Sequence, residues 1–331
     1  MLPTPLADGP VAPDDESSSP TPSPRPLLAV LLVVLVLLGV IAWEATRPSG
    51  PPAPPPGSWT VVPYSGLGAW VDVYDWTHEL GGASPSVGLD DVDAMADAGV
   101  QTLFLQTSHR RSAADVIEPE RLEALIERAH ANDLHVVAWY LPTFEDVAVD
   151  LRRLIAAAEL PVDGLGVDIE ATVVTDATER TRRLLDLSTR LRAAVGADKA
   201  LGAITLSSTH VQVVNPDFWP AYPWAELAST YDVLLPMSYW SIRRGDLHDG
   251  ARYIGEDIDR IWAAVGRSDI PIHPIGGIAD GTTVAEIEGM VGAIVERGGI
   301  GGSLYDWSTS DAAERTALGP LRDLRTLPTE A

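Results

Sequence analysis

Residues 162–170 read V-D-G-L-G-V-D-I-E, and the reading of the whole chain turns on them. The run is short, β-branched and punctuated by glycine, the mark of a strand buried on both faces. Successive strand side chains alternate, so Gly166, Asp168 and Glu170 share one face while Leu165, Val167 and Ile169 take the other. Two carboxylates therefore point the same way. Like charges brought together in a buried setting raise the pKa of one of them towards the range of a general acid. The plainer alternative is a carboxylate pair hydrogen-bonded to loop backbone, because structural networks perturb carboxylates too.

Working outward, the same kind of run recurs at 68–76 (GAWVDVYDW), 100–108 (VQTLFLQTS), 135–142 (HVVAWYLP), 201–208 (LGAITLSS), 232–240 (DVLLPMSYW), 271–277 (PIHPIGG) and 301–307 (GGSLYDW). With 164–170 these make eight strands, and helical stretches lie between them. Leu122, Leu125, Ile126 and Ala129 fall at i, i+3, i+4 and i+7, one apolar stripe to lay on a sheet. The stretch 176–195 repeats this with Leu184, Leu185, Leu187 and Leu191. Eight strand–helix pairs in residues 58–331 match the roughly 250 residues of a (β/α)8 TIM barrel, an α/β fold. An open doubly wound sheet ranks lower, since no G-x-G-x-x-G follows the first strand.

The chain begins differently. Residues 1–26 are rich in Pro, Ser, Thr and Asp, which reads as a disordered tail. Residues 27–43, LLAVLLVVLVLLGVIAW, are unbroken apolar sequence at the short edge of the membrane-spanning range, and are expected to form a single transmembrane helix. A cleavable signal peptide fits less well, because the segment starts late and no A-x-A site follows. Residues 44–57 contain PSGPPAPPP, a stiff Pro-rich linker. The expectation is a single-pass protein of the cell membrane. Arg25 and Arg47 nearly balance the positive-inside rule, and the C-terminal domain is placed outside.

Composition removes several functions. Lys and Arg number 23 against 47 Asp and Glu, a formal charge of −24, so a nucleic-acid partner is not expected. The absence of cysteine excludes disulfide scaffolds, thiolate zinc sites and cysteine nucleophiles. His78, His109, His210 and His273 could reach a rim, but no metalloprotease spacing exists and neither metal nor cofactor is expected. No G-x-S-x-G elbow appears. The glycine turns at 276–281 and 298–303 are weak evidence for a phosphate site, since the second precedes strand eight.

TIM-barrel sites lie at the C-terminal ends of the strands. Those ends carry Asp72, Tyr74, Trp76 and Asp75 on strand one, Gln106 on strand two and Tyr140 on strand three. They also carry Trp240 after strand six, and Tyr305 and Trp307 on strand eight. Trp70, Trp76, Trp139, Trp240 and Trp307 make an aromatic set suited to sugar rings, although any one Trp more often fills a core.

These residues carry a resemblance. Asp163, Gly164, Asp168 and Glu170 resemble the D-G-x-D-x-D-x-E signature on strand four of family 18 glycoside hydrolases, the chitinase-like barrels. P-M-S-Y-W at 236–240 is similar to the family's M-x-Y-D, and GGSLYDW to its strand-eight Gly-Gly…Trp. Gly166 stands where the family has its middle aspartate, Trp240 replaces the strand-six aspartate, and the S-x-G-G of strand three is missing. The resemblance implies Glu170 as general acid, Asp168 orienting a 2-acetamido group that is itself the nucleophile, Tyr239 bonding the acetamido carbonyl, and Trp307 flooring the sugar. The implied substrate is an N-acetylated polysaccharide, peptidoglycan or chitin-like. Two alternatives stay open: a family 25 lysozyme-like muramidase, and a non-catalytic carbohydrate-binding barrel.

Overall fold

The computed structural model describes residues 61–196 and 199–324. Among them lie eight parallel strands that close in sequence order into a barrel. The strands are β1 Gly66–Val71, β2 Thr102–Gln106, β3 His135–Tyr140, β4 Gly164–Ile169, β5 Ala200–Leu206, β6 Val233–Met237, β7 Ile275–Ile278 and β8 Gly301–Tyr305. Each is followed by a helix: α1 Leu89–Asp97, α2 Pro119–Ala131, α3 Val147–Glu159, α4 Ala177–Val195, α5 Trp224–Thr230, α6 Gly250–Val265, α7 Val284–Arg297 and α8 Ala312–Ala317. No helix of the described residues is long and apolar enough to cross a membrane. The expected membrane segment, 27–43, lies outside those residues, as do the tail and linker.

The helices form where the pattern places them. On α2 the buried positions are Leu122, Leu125, Ile126 and Ala129, the expected stripe. On α4, Leu184, Leu187 and Leu191 are buried and Leu185 is half-buried. Part of the acidity of this chain serves helix N-termini. Asp146, Asp176, Asp249 and Asp311 cap α3, α4, α6 and α8, and Thr283 with Glu286 forms a capping box on α7. Each such cap contributes about 1 kcal/mol.

Two strands depart from their expected spans. Strand one stops at Val71 because Asp72 turns the chain into a one-turn helix, Val73–Trp76. Asp72 accepts from the Tyr74 N–H while Asp75 accepts from the Asp72 N–H, a capping box that strand alternation cannot accommodate. Strand seven begins at Ile275, later than expected, and Ile272 contributes only an isolated bridge. Pro271 and Pro274 lack the N–H that a continuous ladder needs.

The barrel is filled, and one plug sets its base. Tyr64, just before β1, donates its hydroxyl to the Ala200 carbonyl at 2.8 Å and accepts from the Leu165 N–H at 3.0 Å. Glycine is required beside it. A Cβ at Gly164 or Gly202 would come within 2.6 or 2.7 Å of the Tyr64 side chain. Above the plug, Trp70 and Phe104 stack at 4.3 Å, and Trp139 meets Trp70 edge-on at 5.7 Å. His273 sits in this interior, with Nδ1 2.8 Å from the Tyr64 carbonyl and Nε2 3.1 Å from Ser303 Oγ. Burial pushes its pKa down to about 4, so it is a neutral packing residue and not part of the rim.

At the base, Asp163 ties β3 to β4. Its carboxylate accepts from the Val136 N–H at 2.8 Å and lies 3.0 Å from His130 Nε2. Burial alone would raise its pKa, but hydrogen bonds from His135, Val136 and His130 outweigh that and hold it at about 2. A depressed carboxylate stabilises the fold above its unfolded pKa, and loses that contribution as pH falls through the folded value. Asp163→Asn is therefore expected to lower stability at pH 7 by about 1–2 kcal/mol, allowing for partial solvent screening. Urea midpoints should differ between the two proteins at pH 7 and converge near pH 2. Equal midpoints at pH 7 would refute the assignment.

Candidate active site

Parallel register fixes which side chains face the barrel axis. Trp139 pairs with Gly166 and Gly166 with Gly202, while Asp168 pairs with Ile204. Asp168 is thus the last inward residue of β4, and Glu170 follows immediately beyond the strand end. The alternation read from the sequence places both carboxylates on that one face.

Their electrostatics follow from this position. Asp168 is only 6% exposed, and its Oδ1 is buried without a hydrogen-bond partner. Burial first, and the charge of Glu170 second, push its pKa far above the usual carboxylate range. Burial also raises the pKa of Glu170, which stays partly open to solvent at the mouth. Such a pair retains a proton at pH values where free carboxylates have lost theirs.

Tyr239 completes the group. It follows β6, and its hydroxyl is pushed up by burial and then by the charges of Asp168, Glu170 and Asp306. Its ring centroid lies 6.1 Å from that of Tyr305, whose hydroxyl donates to Asp72 Oδ2 at 2.9 Å. The expected Asp72, Tyr239 and Tyr305 are therefore drawn into one wall beside the β4 carboxylates. Tyr74 is 43% exposed on the one-turn helix after β1, with its hydroxyl 3.4 Å from His109 Nε2.

Five expected contacts are not placed to touch a ligand. Tyr140 is fully buried, and its hydroxyl bonds Asp150 Oδ1 and Arg153 Nη1 at 2.9 Å each. On β3 it alternates with inward Trp139, so it faces the helix layer. Trp76 is buried with its indole N–H on the Gln106 carbonyl, because the chain has already left strand geometry at Asp72. The Gln106 side chain accepts from the Val73 N–H at 3.0 Å and so holds the turn after β1. Trp240 is fully buried, packed so closely that a Cβ at Gly276 would come 2.8 Å from its ring. Trp307 is 6% exposed, with the Arg315 guanidinium 3.5 Å over its ring. It lines a small cavity of about 20 Å³ with Leu67, Ala69, Leu304 and Leu318, the last two on or beyond β8. Leu67, Ala69 and Leu304 face outward from β1 and β8, so Trp307 stands outside the barrel and Tyr305 holds the mouth on strand eight.

Several residues at the mouth went unread. Tyr222 donates to the Ile169 carbonyl at 3.1 Å and feels the charges of Asp168 and Glu170. It lies in the loop after β5, which no motif marks. Asp306 comes together with Asp72 and Asp75, their oxygens within 4.8 Å of one another. Burial first, then Asp72 and Asp306, raise the pKa of Asp75. Internal donors already serve this cluster: Ser86 bonds Asp75, Tyr305 bonds Asp72, and Ser308 and Thr309 bond Asp306.

Gly166 is an informative departure. A Cβ there would lie 3.1 Å from both Ile204 Cδ1 and Trp139 Cβ, tighter than ordinary contact, so a middle aspartate would require these neighbours to shift. Gly166→Asp is expected to cost about 1–3 kcal/mol by overpacking and to leave turnover no higher. Thermal midpoint and rate on one sample check both parts; a faster variant would show that the missing carboxylate limits the site.

No protein-family model and no curated protein sequence matches this chain. Solved structures do. The glycoside hydrolase domain of PgaB (BpsB) from Bordetella bronchiseptica superposes with a TM-score of 0.59 at 12% identity, covering 80% of this chain and 100% of that one. A family 18 chitinase from Cycas revoluta in complex with (GlcNAc)3 gives 0.57 at 10% identity, covering 78% and 99%. The spore cortex-lytic enzyme SleL of Bacillus megaterium gives 0.54 at 9% identity, covering 78% and 74%. At these identities the likeness is one of fold: a divergent barrel of the kind family 18 chitinases and related glycoside hydrolases use.

Proposed function

We propose that this domain is a glycan-cleaving hydrolase acting on N-acetylated polysaccharide, with Glu170 as the general acid. The observation that carries the reading is the pair Asp168 and Glu170, inward and adjacent at the mouth, both with raised pKa and with Oδ1 of Asp168 free of any partner. The proton held by the pair passes through Glu170, at the open end, to the departing glycosidic oxygen as the acetamido N–H comes to Asp168. Asp168, deeper, receives the acetamido N–H and steadies the positive charge that grows as the acetamido oxygen attacks the sugar carbon. No protein carboxylate has to attack, in keeping with substrate-assisted retaining hydrolysis. Tyr239 lies within electrostatic reach of both and donates to the acetamido carbonyl, while Tyr305 and Asp72 bind sugar hydroxyls. Activity then falls on the alkaline side as Glu170 loses its proton, at a pH above the ordinary glutamate value.

The apolar segment 27–43 and the Pro-rich linker support a domain tethered to the cell membrane on its outer side, with envelope glycans such as peptidoglycan within reach. The full-length protein in detergent, incubated with peptidoglycan and with chitin oligosaccharides, should release N-acetylated fragments detectable by mass spectrometry.

One observation favours a second reading. Gly166 and Trp240 stand where the family 18 signature has aspartates, and Trp240 is wholly buried, so part of the proton-handling network is replaced by packing. A carbohydrate-binding barrel without turnover would bind the same oligosaccharides and release nothing.

A further inference from the structure

With 47 acidic residues against 23 basic ones, this chain has a carboxylate to spare for every cation. Most cations are engaged: Arg152 pairs with Asp115 and Arg192 with Asp232, while Arg121 and Arg315 hold backbone carbonyls. Among the lysines and arginines of the described residues, only Arg110, Arg111 and Arg244 have side chains without a hydrogen bond, ion pair or ring contact. All three are exposed, Arg110 and Arg111 in the loop after β2 and Arg244 in the loop after β6. The unpaired positive charge therefore lies on the face of the barrel that carries the candidate site.

The turn that presents Arg110 and Arg111 is held from several sides. The Ser112 N–H donates to the His109 carbonyl at 3.0 Å, Ser108 Oγ to the Ala114 carbonyl at 3.2 Å, and Arg153 of α3 to the Ser112 carbonyl at 2.7 Å. A continuous line of contacts joins this turn to the site. The Arg111 N–H donates to His109 Nδ1 at 3.2 Å, and His109 Nε2 lies 3.4 Å from the Tyr74 hydroxyl. The Tyr74 N–H donates to Asp72 Oδ1 at 2.7 Å, and Tyr305 holds the other oxygen of Asp72. Burial first, then the charges of Arg111 and Arg110, push the pKa of His109 down, so its ring is neutral and its Nδ1 is free to accept.

We propose that Arg110 and Arg111 receive a carboxylate carried by the glycan, which makes the substrate an anionic N-acetylated polysaccharide of the peptidoglycan kind and not neutral chitin. The inference rests on the hydrolase reading above and narrows its substrate. A guanidinium presents its N–H groups in a planar fork that matches a carboxylate. Along the same wall, the exposed ring of Tyr74 offers a flat face to a sugar and Asp72 an acceptor for its hydroxyls. The net charge of the chain opposes an anionic ligand, so a preference for one has to come from local cations.

The test is isothermal titration calorimetry on the full-length protein in detergent. Tetrasaccharides from chitin, from peptide-free peptidoglycan and from peptidoglycan that keeps its peptide stems serve as probes. At low ionic strength the wild type is expected to bind the carboxylated probes about tenfold more tightly than the chitin probe. That ratio should fall to about one in Arg110→Gln/Arg111→Gln, and in the wild type at about 1 M salt, where exposed charges are screened. Preference for the peptide-free probe places the charge on the lactyl ether; preference confined to the stem-bearing probe places it on the peptide. A double variant that weakens all probes together and keeps the ratio has lost only the shape of the turn, and overturns the proposal. So does a wild type that binds chitin as tightly as the carboxylated probes, or that binds none of them. A wild type that shows the ratio but hydrolyses nothing counts against the proposed function and leaves the carboxylate site standing.

Discussion

Glu170→Gln is expected to lower hydrolysis of chitin oligosaccharides or peptidoglycan fragments by about 10²–10⁴-fold, with binding of the same ligands retained. The glutamine keeps the size and hydrogen-bonding edge of the side chain but has no proton to give at the pH of the assay. Binding persists because Tyr239, Tyr305 and Asp72 remain, with the Tyr305–Asp72 bond of 2.9 Å untouched. A neutral glutamine stands where a protonated Glu170 stood, so oligosaccharide affinity should stay level. Turnover undiminished in Glu170→Gln would remove Glu170 from the chemistry and leave Asp168 or an unassigned group as the acid.

The second large effect is on stability. Asp257, from α6, is fully buried and reaches the ends of β5 and β6. Oδ1 accepts from Ser208 Oγ at 2.6 Å, from the Thr209 N–H at 2.8 Å and from Ser207 Oγ at 3.1 Å, and Oδ2 accepts from Ser238 Oγ. Burial raises its pKa in spite of these donors, so the carboxylate is held at a cost that the hydrogen bonds must offset. Asp257→Ala removes the shared acceptor of four donors, leaving the Thr209 N–H unpaired while Ser207, Ser208 and Ser238 keep only Tyr253, the residue 257 carbonyl and the Pro236 carbonyl, and a loss of about 3 kcal/mol is expected from this and the cavity. Ser238 immediately precedes Tyr239, so turnover should fall as well. Urea denaturation measures the first effect; a loss under about 1 kcal/mol would mean that water enters and re-pairs the donors.

The sequence made the barrel legible because strands buried on both faces leave apolar runs that glycine, proline and helical stripes separate. All eight runs overlap the observed strands. Errors came where a local signal competed with that pattern. Asp72 and Asp75 look like alternating strand residues, yet three positions apart they also form a capping box, and the cap prevailed. At strand seven the prolines of PIHP delayed the ladder to Ile275.

Along β4 alternation places Asp168 inward with Glu170 one residue past the strand end, while Asp72, Tyr239 and Tyr305 were read from their positions at the ends of other strands. The same rule, applied to HVVAWY, puts Tyr140 opposite to Trp139, which is where it is found; proximity to a strand end had outweighed parity. Trp307 could not be placed, because beyond Tyr305 the strand ends and alternation lapses. Tyr222 and Asp257 reach the mouth from a loop and a helix far along the chain, and their roles exist only through closure of the barrel.

The most direct test of the central claim is proton NMR of the sugar anomers during cleavage of a chitin or peptidoglycan oligosaccharide by the wild-type protein. First-formed product with the anomeric configuration of the bond that was cut, absent with Glu170→Gln, is the expected result. Product of inverted configuration, or none from an oligosaccharide that demonstrably binds, would contradict it.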